Sequence, residues 1–164
     1  MKRLFYSAII LLMLCSCQRS GKAVGVIAGS LASGFGEFLG KSGGEAIARS
    51  FSQQDVSKQQ ALWQVASQLN KSMPIQIDQE TILSNIGVQG DGLVYNHQLV
   101  NYLSTEVSPN ELVDALYPGI KNSVCSSPDM QPALKKQISF HYSYFGNDRK
   151  FIAKFVVTPS DCGC

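Results

Sequence analysis

Eight of the fourteen glycines lie between residues 21 and 44, and this crowding limits what the amino-terminal part of the chain can form. A glycine inside a helix costs about 1 kcal/mol relative to alanine, so a helix through all eight would lose on the order of 8 kcal/mol and could not persist alone in water. If this segment is helical, it needs lipid or a packed partner. We expect the hydrophobic core to come from the later part of the chain, residues 51–164.

Six of these glycines recur every fourth residue with one step of seven, and on a helix from Lys22 to Arg49 they would form one stripe. They are Gly21, Gly25, Gly29, Gly36, Gly40 and Gly44. Such stripes let helices pack closely in membranes, and the segment resembles the glycine zippers of small envelope lipoproteins. A flexible glycine-rich tether is the alternative. We favour the zipper because a tether would leave the apolar side chains between the glycines exposed.

The later half of this segment carries charges that also favour a helix. Glu37, Lys41, Glu45 and Arg49 alternate in sign at strict i, i+4 spacing. Pairs of this kind support a helix by about 0.2–0.5 kcal/mol each and require an aqueous face. Whether residues 21–44 insert into a membrane or act as a linker stays open.

The first sixteen residues form an export signal. A basic start at Lys2 and Arg3 precedes a largely apolar stretch of eleven residues, Leu4–Leu14, which is too short to span a bilayer. The following Leu14-Cys15-Ser16-Cys17 resembles the lipobox of bacterial lipoprotein precursors. This resemblance implies that Cys17 becomes the mature amino terminus and carries a covalent diacylglycerol and a fatty acid, and we expect no other cofactor. A plain signal peptide or an uncleaved anchor helix is the alternative.

These features divide the chain into three parts: a signal peptide at 1–16, a lipid anchor with the glycine-rich segment at 17–50, and a periplasmic domain at 51–164. In the lipoprotein family an Asp after the cysteine retains the protein in the inner membrane. This chain has Gln18 there, so the resemblance implies a lipid-anchored outer-membrane protein that faces the periplasm. The chain has a net charge of +2, and its basic residues are scattered singly along the sequence. This distribution argues against binding to nucleic acid.

The pattern of the domain predicts an α+β fold in the order helix, hairpin, helix, hairpin. Ser108-Pro109-Asn110-Glu111 is a capping box that opens the second helix, and Asp91-Gly92 suits a tight turn. We expect a four-stranded antiparallel sheet with helices on one face. The expected helices cover residues 53–72 and 109–125, and a short turn or helix is expected at 128–136. The expected strands cover 82–88, 93–101, 138–145 and 150–158.

Residues 121–163 also resemble a set of small exported proteobacterial proteins of unknown function. The likeness is carried by Asn122-Ser123-Val124-Cys125, Pro128-Asp129-Met130, Tyr142-Ser143-Tyr144 and Thr158-Pro159-Ser160-Asp161-Cys162. It implies a compact domain that contains a disulfide and has no catalytic residues.

Three cysteines remain in the domain of the exported protein, where thiols are oxidised. Cys125 at a helix end can reach Cys162 in the tail, and closing that loop would stabilise the domain by roughly 4 kcal/mol. We predict this pair, with Cys125–Cys164 as the competing pair. Cys164 would then be free or bound to another molecule.

Neither histidine suggests catalysis or metal binding. His97 shares its side of a strand with Leu93, Tyr95 and Leu99, which predicts a buried imidazole, whereas His141 lies on a polar face. The spacing of Cys162-Gly163-Cys164 suits zinc poorly, so we expect no metal. The sequence shows no signature of a catalytic triad or a phosphate-binding loop, so we expect the protein to have no enzymatic activity. The aromatic side chains of Tyr142, Tyr144, Phe151 and Phe155 are predicted to belong to the core.

The sequence thus favours a non-enzymatic envelope lipoprotein that acts as a scaffold or docking component of a membrane-associated assembly. Its expected partners are the membrane, through the lipid anchor, and envelope proteins or further copies of itself. Two alternatives stay open: a module that binds a lipid or small ligand, and an immunity lipoprotein that neutralises a toxin. The sequence identifies neither the partner nor the oligomeric state.

Mass spectrometry of the mature protein tests the lipid anchor. We expect a polypeptide that begins at residue 17 and carries the mass of a diacylglycerol and a fatty acid, because lipidation precedes cleavage at a lipobox. Cys17→Ser removes the acceptor thiol and should leave an unlipidated protein. An unmodified sulfur or a retained leader in the natural chain would contradict the prediction.

Overall fold

The computed structural model describes residues 43–52 and 56–164. Within these ranges, four α-helices and a five-stranded mixed sheet form an α+β fold. The helices are α1 (Gly44–Ser52), α2 (Lys58–Asn70), α3 (Pro109–Ser126) and α4 (Gln131–Lys135). The strands are β1 (Ile75–Gln76), β2 (Thr81–Gln89), β3 (Gly92–Leu99), β4 (Ser139–Phe145) and β5 (Phe151–Val157). No helix in these ranges is long and apolar enough to cross a membrane.

The strand order is β1-β2-β3-β4-β5, and β3 pairs with β4 in parallel while the other neighbours are antiparallel. The α+β class is confirmed, but the predicted sheet of four antiparallel strands is wrong in two respects. Strand β1 adds a fifth member. The connection from β3 to β4 contains α3 and α4 and returns the chain to the end where β3 began, and a crossover of this kind makes the two strands parallel.

Helix α1 joins the core of the domain through the side chains of Ile47 and Phe51, which are buried. It packs against α2 and α4. Residues 44–50, which fall in the predicted glycine-rich segment, therefore belong to a helix that contacts the core directly, and Gly44 is the buried first residue of that helix. One step of the charge ladder is present, because Arg49 Nη2 lies 3.3 Å from Glu45 Oε2. Cys17 and the glycines from Gly21 to Gly40 lie outside the described residues.

Helix starts follow local side-chain signals. Ser57 and Gln60 form a capping box, in which the Ser57 hydroxyl accepts from the Gln60 N–H at 3.2 Å and the Gln60 side chain accepts from the Ser57 N–H at 3.1 Å. Helix α2 therefore begins at Lys58 and not at the predicted Gln53. Helix α3 begins after Ser108 with Pro109 in its first turn, as predicted.

The inward face of the sheet packs against the helices, and its centre is aromatic. Tyr142 stacks on Tyr95 and on Phe155, with ring centroids 5.3 Å apart in both pairs. These inward side chains are all buried: Leu83, Ile86, Leu93, Tyr95, His97, Phe140, Tyr142, Tyr144, Phe155 and Val157. The prediction that Phe151 belongs to the core is wrong, because this residue is 58% exposed. A register shift between β4 and β5 pairs Phe151 with Phe145 and brings their rings within 5.8 Å.

The β2 edge of the sheet is closed by two elements. Strand β1 pairs with Ile82 and Leu83, and beyond it the side-chain amide of Asn70 takes the place of a strand. The Asn70 Oδ1 accepts from the Ile86 N–H at 2.8 Å, and its Nδ2 donates to the Ile86 carbonyl at 2.7 Å. One helix residue thus satisfies both free backbone groups of Ile86.

Removing this amide should destabilise the domain. Asn70→Ala leaves the N–H and carbonyl of Ile86 without partners, and we expect a loss of about 1–2 kcal/mol in the free energy of unfolding. Urea unfolding of the full chain measures the change. Gln68→Ala, on an exposed position of the same helix, is the matched control and should change stability by less than about 0.5 kcal/mol. Equal losses in the two variants would contradict the role of Asn70.

Candidate functional site: the open face of the sheet

The side of the sheet that points away from the core carries mainly polar and partly exposed side chains. We call this side the open face. In the middle of the sheet, one row across it contains Asn85, Asn96, Ser143 and Lys154 on successive strands. The other members are Gly87, Gln89, Val94, Gln98, Ser139, His141, Phe145, Phe151 and Val156. None of the five strands contains an Asp or Glu, and Lys154 is their single Lys or Arg.

A groove of about 400 Å³ crosses the open face. Its floor includes the amides of Asn85 and Asn96, which are joined by a hydrogen bond of 2.7 Å from Asn96 Nδ2 to Asn85 Oδ1. The complete lining is Ser84, Asn85, Asn96, Gln98, Phe145 and Arg149. The groove therefore offers amide and hydroxyl groups along its length, and an aromatic ring and a guanidinium at one end.

Toward the opposite end of the open face, His141 lies near the ammonium of Lys154, which reaches across the sheet from the middle row. The imidazole of His141 lies over Gly92, where an added Cβ would come within 2.6 Å of Nε2, so only glycine fits there. Lys154 Nζ donates to Gln89 Oε1 at 2.5 Å. Burial and the nearby Lys154 lower the pKa of His141 below its ordinary value. His141 is therefore neutral at pH 7, and Lys154 supplies the charge beside it.

The turn between β4 and β5 presents the cation of Arg149 beside the groove. Asp148 faces away from it, because its carboxylate accepts hydrogen bonds from the Ser104 N–H at 3.2 Å and the Ser104 hydroxyl at 2.8 Å. Desolvation alone would raise the pKa of Asp148, but these hydrogen bonds bring it below the ordinary value. Arg149, which adopts a positive φ of 60°, and Lys150 extend into solvent.

Both histidines lie on the predicted sides of the sheet. His97 is only 1% exposed, and its ring stacks on Tyr144 with centroids 4.8 Å apart. Burial lowers the pKa of His97 to about 4, so the imidazole is neutral in the folded protein. Burial also raises the pKa of Tyr144, with a smaller contribution from Asp78. This end of the core therefore contains neutral polar rings rather than an ionised catalytic pair.

The predicted disulfide between Cys125 and Cys162 is present and ties α3 to the carboxy-terminal turn. Asp161 reinforces the junction, since its carboxylate accepts hydrogen bonds from Thr158 and from the Tyr117 hydroxyl, which lower its pKa. Cys164 is a free and exposed thiol.

A second, more open groove of about 720 Å³ lies between α1 and α2 around Trp63, whose side chain is 61% exposed. Its other lining residues are Arg49, Ser50, Gln64, Ser67, Gln68 and Lys71. No group of three or more His, Cys, Asp or Glu residues in the described ranges is arranged to hold a metal ion. Of the two grooves, only the one on the open face lies on the sheet.

No protein-family model matches this chain. Among curated proteins, it is 24% identical over 100 residues to Protein K of Escherichia coli, a match that covers 60% of this chain and 53% of that protein. The chain thus spans about half the length of this curated relative.

Three solved structures are similar to this chain. A Pseudomonas aeruginosa protein described as secreted has a TM-score of 0.54 and 18% identity, over 62% of this chain and 88% of its own. Pilotins of the type II secretion systems of Vibrio vulnificus and Vibrio cholerae have TM-scores of 0.48 and 0.44 and identities of 13% and 15%, and both matches cover 59% of this chain and 84% of the pilotin. The Pseudomonas structure supports the fold.

The buried His97 predicts a pH-dependent stability. Its pKa is about 4 in the folded state, so between the ordinary value of 6.5 and 4 only the unfolded chain binds the proton. The free energy of unfolding should therefore fall by about 1 kcal/mol per pH unit as the pH drops through this window. His97→Phe should remove most of this slope in urea unfolding at pH 4–7, whereas His141→Gln should remove only a minor part of it, because His141 is less buried. An unchanged slope in His97→Phe would contradict a neutral buried imidazole.

Proposed function

We propose that this protein is a non-enzymatic outer-membrane lipoprotein that docks other envelope proteins onto the open face of its sheet. The observation that carries this proposal is the contrast between the two faces. The side chains of the inward face are buried against the helices. The open face, in contrast, offers a groove, an exposed aromatic ring and cations, and none of its strands carries a carboxylate. Anchoring through Cys17 would hold this face within the envelope, where such partners are found.

The packed interior favours a surface function over an internal ligand. Across the centre of the sheet, Tyr95, Tyr142 and Phe155 are stacked and buried against the helices. Side chains in such contact leave little space for a lipid chain without repacking of the core. We therefore place the binding function on the outside of the sheet.

The aromatic pair at the edge of the open face has the character of a binding anchor. Phe151 is 58% exposed and meets Phe145 edge to face, and the groove begins beside them at Arg149. Aromatic and arginine side chains supply much of the binding energy at protein interfaces, where polar neighbours exclude water around them. The amides of Asn85, Asn96 and Gln98 can provide that polar surround.

Site-specific photocrosslinking in the native cell tests the docking face. The photoreactive residue p-benzoylphenylalanine replaces Phe151 in the full precursor, and a matched variant carries it in place of the exposed Glu111 on α3. We expect an adduct with one discrete envelope protein from position 151 and none from position 111. Lys154→Glu should reduce the adduct about tenfold, because it reverses the charge of this face. The same charge change at a remote helix position, Lys135→Glu, should leave it unchanged.

Three outcomes would contradict the proposal. Equal adducts from positions 151 and 111 would mean that the open face is not a specific surface. An adduct with lipid alone would support the lipid-binding alternative from the sequence. An adduct that persists unchanged in Cys17→Ser would remove the role of the anchor in bringing the partner within reach.

A further inference from the structure

The groove between α1 and α2 contains the only tryptophan of the chain, Trp63. Trp63 and Ser67 on α2, and Lys71 at its C-cap, recur every fourth residue and therefore form one line along the helix. The buried side chains of α2, such as Leu62 and Val65, point to the other side, toward the core. The line of Trp63 thus lies on the outer surface of the helix layer, on the opposite side of the domain from the open face.

The charge of this groove is positive and comes from Lys71. Among the described residues, Lys71 takes part in no ion pair. Arg49 pairs with Glu45, and because both side chains are largely exposed, at 73% and 66%, this pair adds little net charge. No Asp or Glu lines the groove or occurs in α2, and the remaining polar lining consists of neutral amides and hydroxyls.

The chain enters the domain at this same surface. Helix α1 forms one wall of the groove and is the first described helix, and residues 18–43 separate its first residue, Gly44, from Cys17. A fully extended chain of 26 residues reaches about 90 Å, so a tether of this length would allow any side of the domain to meet a membrane. The surface of the domain must therefore determine which side does so.

From this arrangement we infer, building on the lipid anchor of the proposed function, that the groove around Trp63 lies against the surface of the bilayer and binds anionic phospholipid. The indole would lie at the level of the headgroups, where tryptophan is enriched in membrane proteins. The ammonium of Lys71 would meet lipid phosphates, and the amides of Gln64 and Gln68 would donate to headgroup oxygens. The open face would then point away from the membrane, toward the envelope proteins that it docks.

The same observations disfavour other occupants of the groove. A second copy related by a two-fold axis would place groove against groove, and the lining supplies cations on both sides without a carboxylate to meet them. A separate protein would find one exposed aromatic ring and one unpaired cation, whereas stable interfaces cluster several such anchors. A membrane held nearby by the anchor has a high effective concentration, so this small surface is enough to orient the domain.

Tryptophan fluorescence of the full mature lipoprotein tests this inference, because Trp63 alone supplies the signal. The protein is added to preformed vesicles of phosphatidylcholine and phosphatidylglycerol, with or without bromine on the acyl chains near the headgroup. Brominated lipid should quench Trp63 at least about twofold, and acrylamide quenching should fall about threefold relative to the unlipidated Cys17→Ser protein in buffer. Flotation with the vesicles shows separately that the protein is anchored.

A matched variant moves the tryptophan to the open face. Trp63→Phe combined with Phe151→Trp keeps an aromatic ring at both positions, and brominated lipid should leave its emission unchanged. In the otherwise natural chain, Lys71→Glu should reduce the lipid quenching of Trp63 about twofold, because it removes the attraction to phosphate. Lys154→Glu makes the same charge change on the open face and should have no effect.

Several results would overturn the inference. It fails if Trp63 of the anchored protein is as accessible to acrylamide as in buffer, or if brominated lipid quenches tryptophan equally at positions 63 and 151. It also fails if Trp63 is protected only in native envelope vesicles and not in vesicles of lipid alone, since a protein would then cover the groove. A photocrosslink from position 151 together with an accessible Trp63 would leave the docking function standing and reject this orientation. The reverse pattern would keep the orientation and reject the docking face.

Discussion

Burial of one face of the sheet is the constraint on which the rest of this structure depends. The row of Tyr95, Tyr142 and Phe155 spans three strands, and the helices close over it. Because the side chains of a strand alternate, committing one set to the core commits the other set to the opposite side. The open face and its groove are therefore a direct consequence of how the core is made. Because the strands carry no carboxylate, Lys154 gives that face a positive charge.

Local patterns predicted the elements well. The alternation of Phe140, Tyr142 and Tyr144 with serines and His141 located β4 and assigned both of its faces correctly, and Ser108-Pro109 located the start of α3. Features that depend on distant residues were not predictable in this way. The parallel pairing of β3 with β4 follows from the path of a crossover of about forty residues, and the exposure of Phe151 follows from a register shift that sequence periodicity does not contain.

The candidate site was predictable in part. The alternation of side chains along the strands placed His141 on the polar face and His97 in the core. The position of Cys125 at a helix end and of Cys162 in the tail predicted the disulfide. The groove was not predicted, because Asn85, Asn96, Phe145 and Arg149 become neighbours only through the pairing of three strands. Asn70 was missed for a similar reason: an asparagine at the end of a helix usually serves that helix, and nothing local shows that it substitutes for a strand.

The disulfide has a consequence for survival among proteases of the cell envelope. It joins α3 to the turn that follows β5, across 37 positions of the chain. A single cut anywhere between these cysteines would leave both fragments covalently attached, with β4 and β5 still fastened to the helix that covers them. A nicked molecule therefore stays covalently linked until a reductant breaks the disulfide.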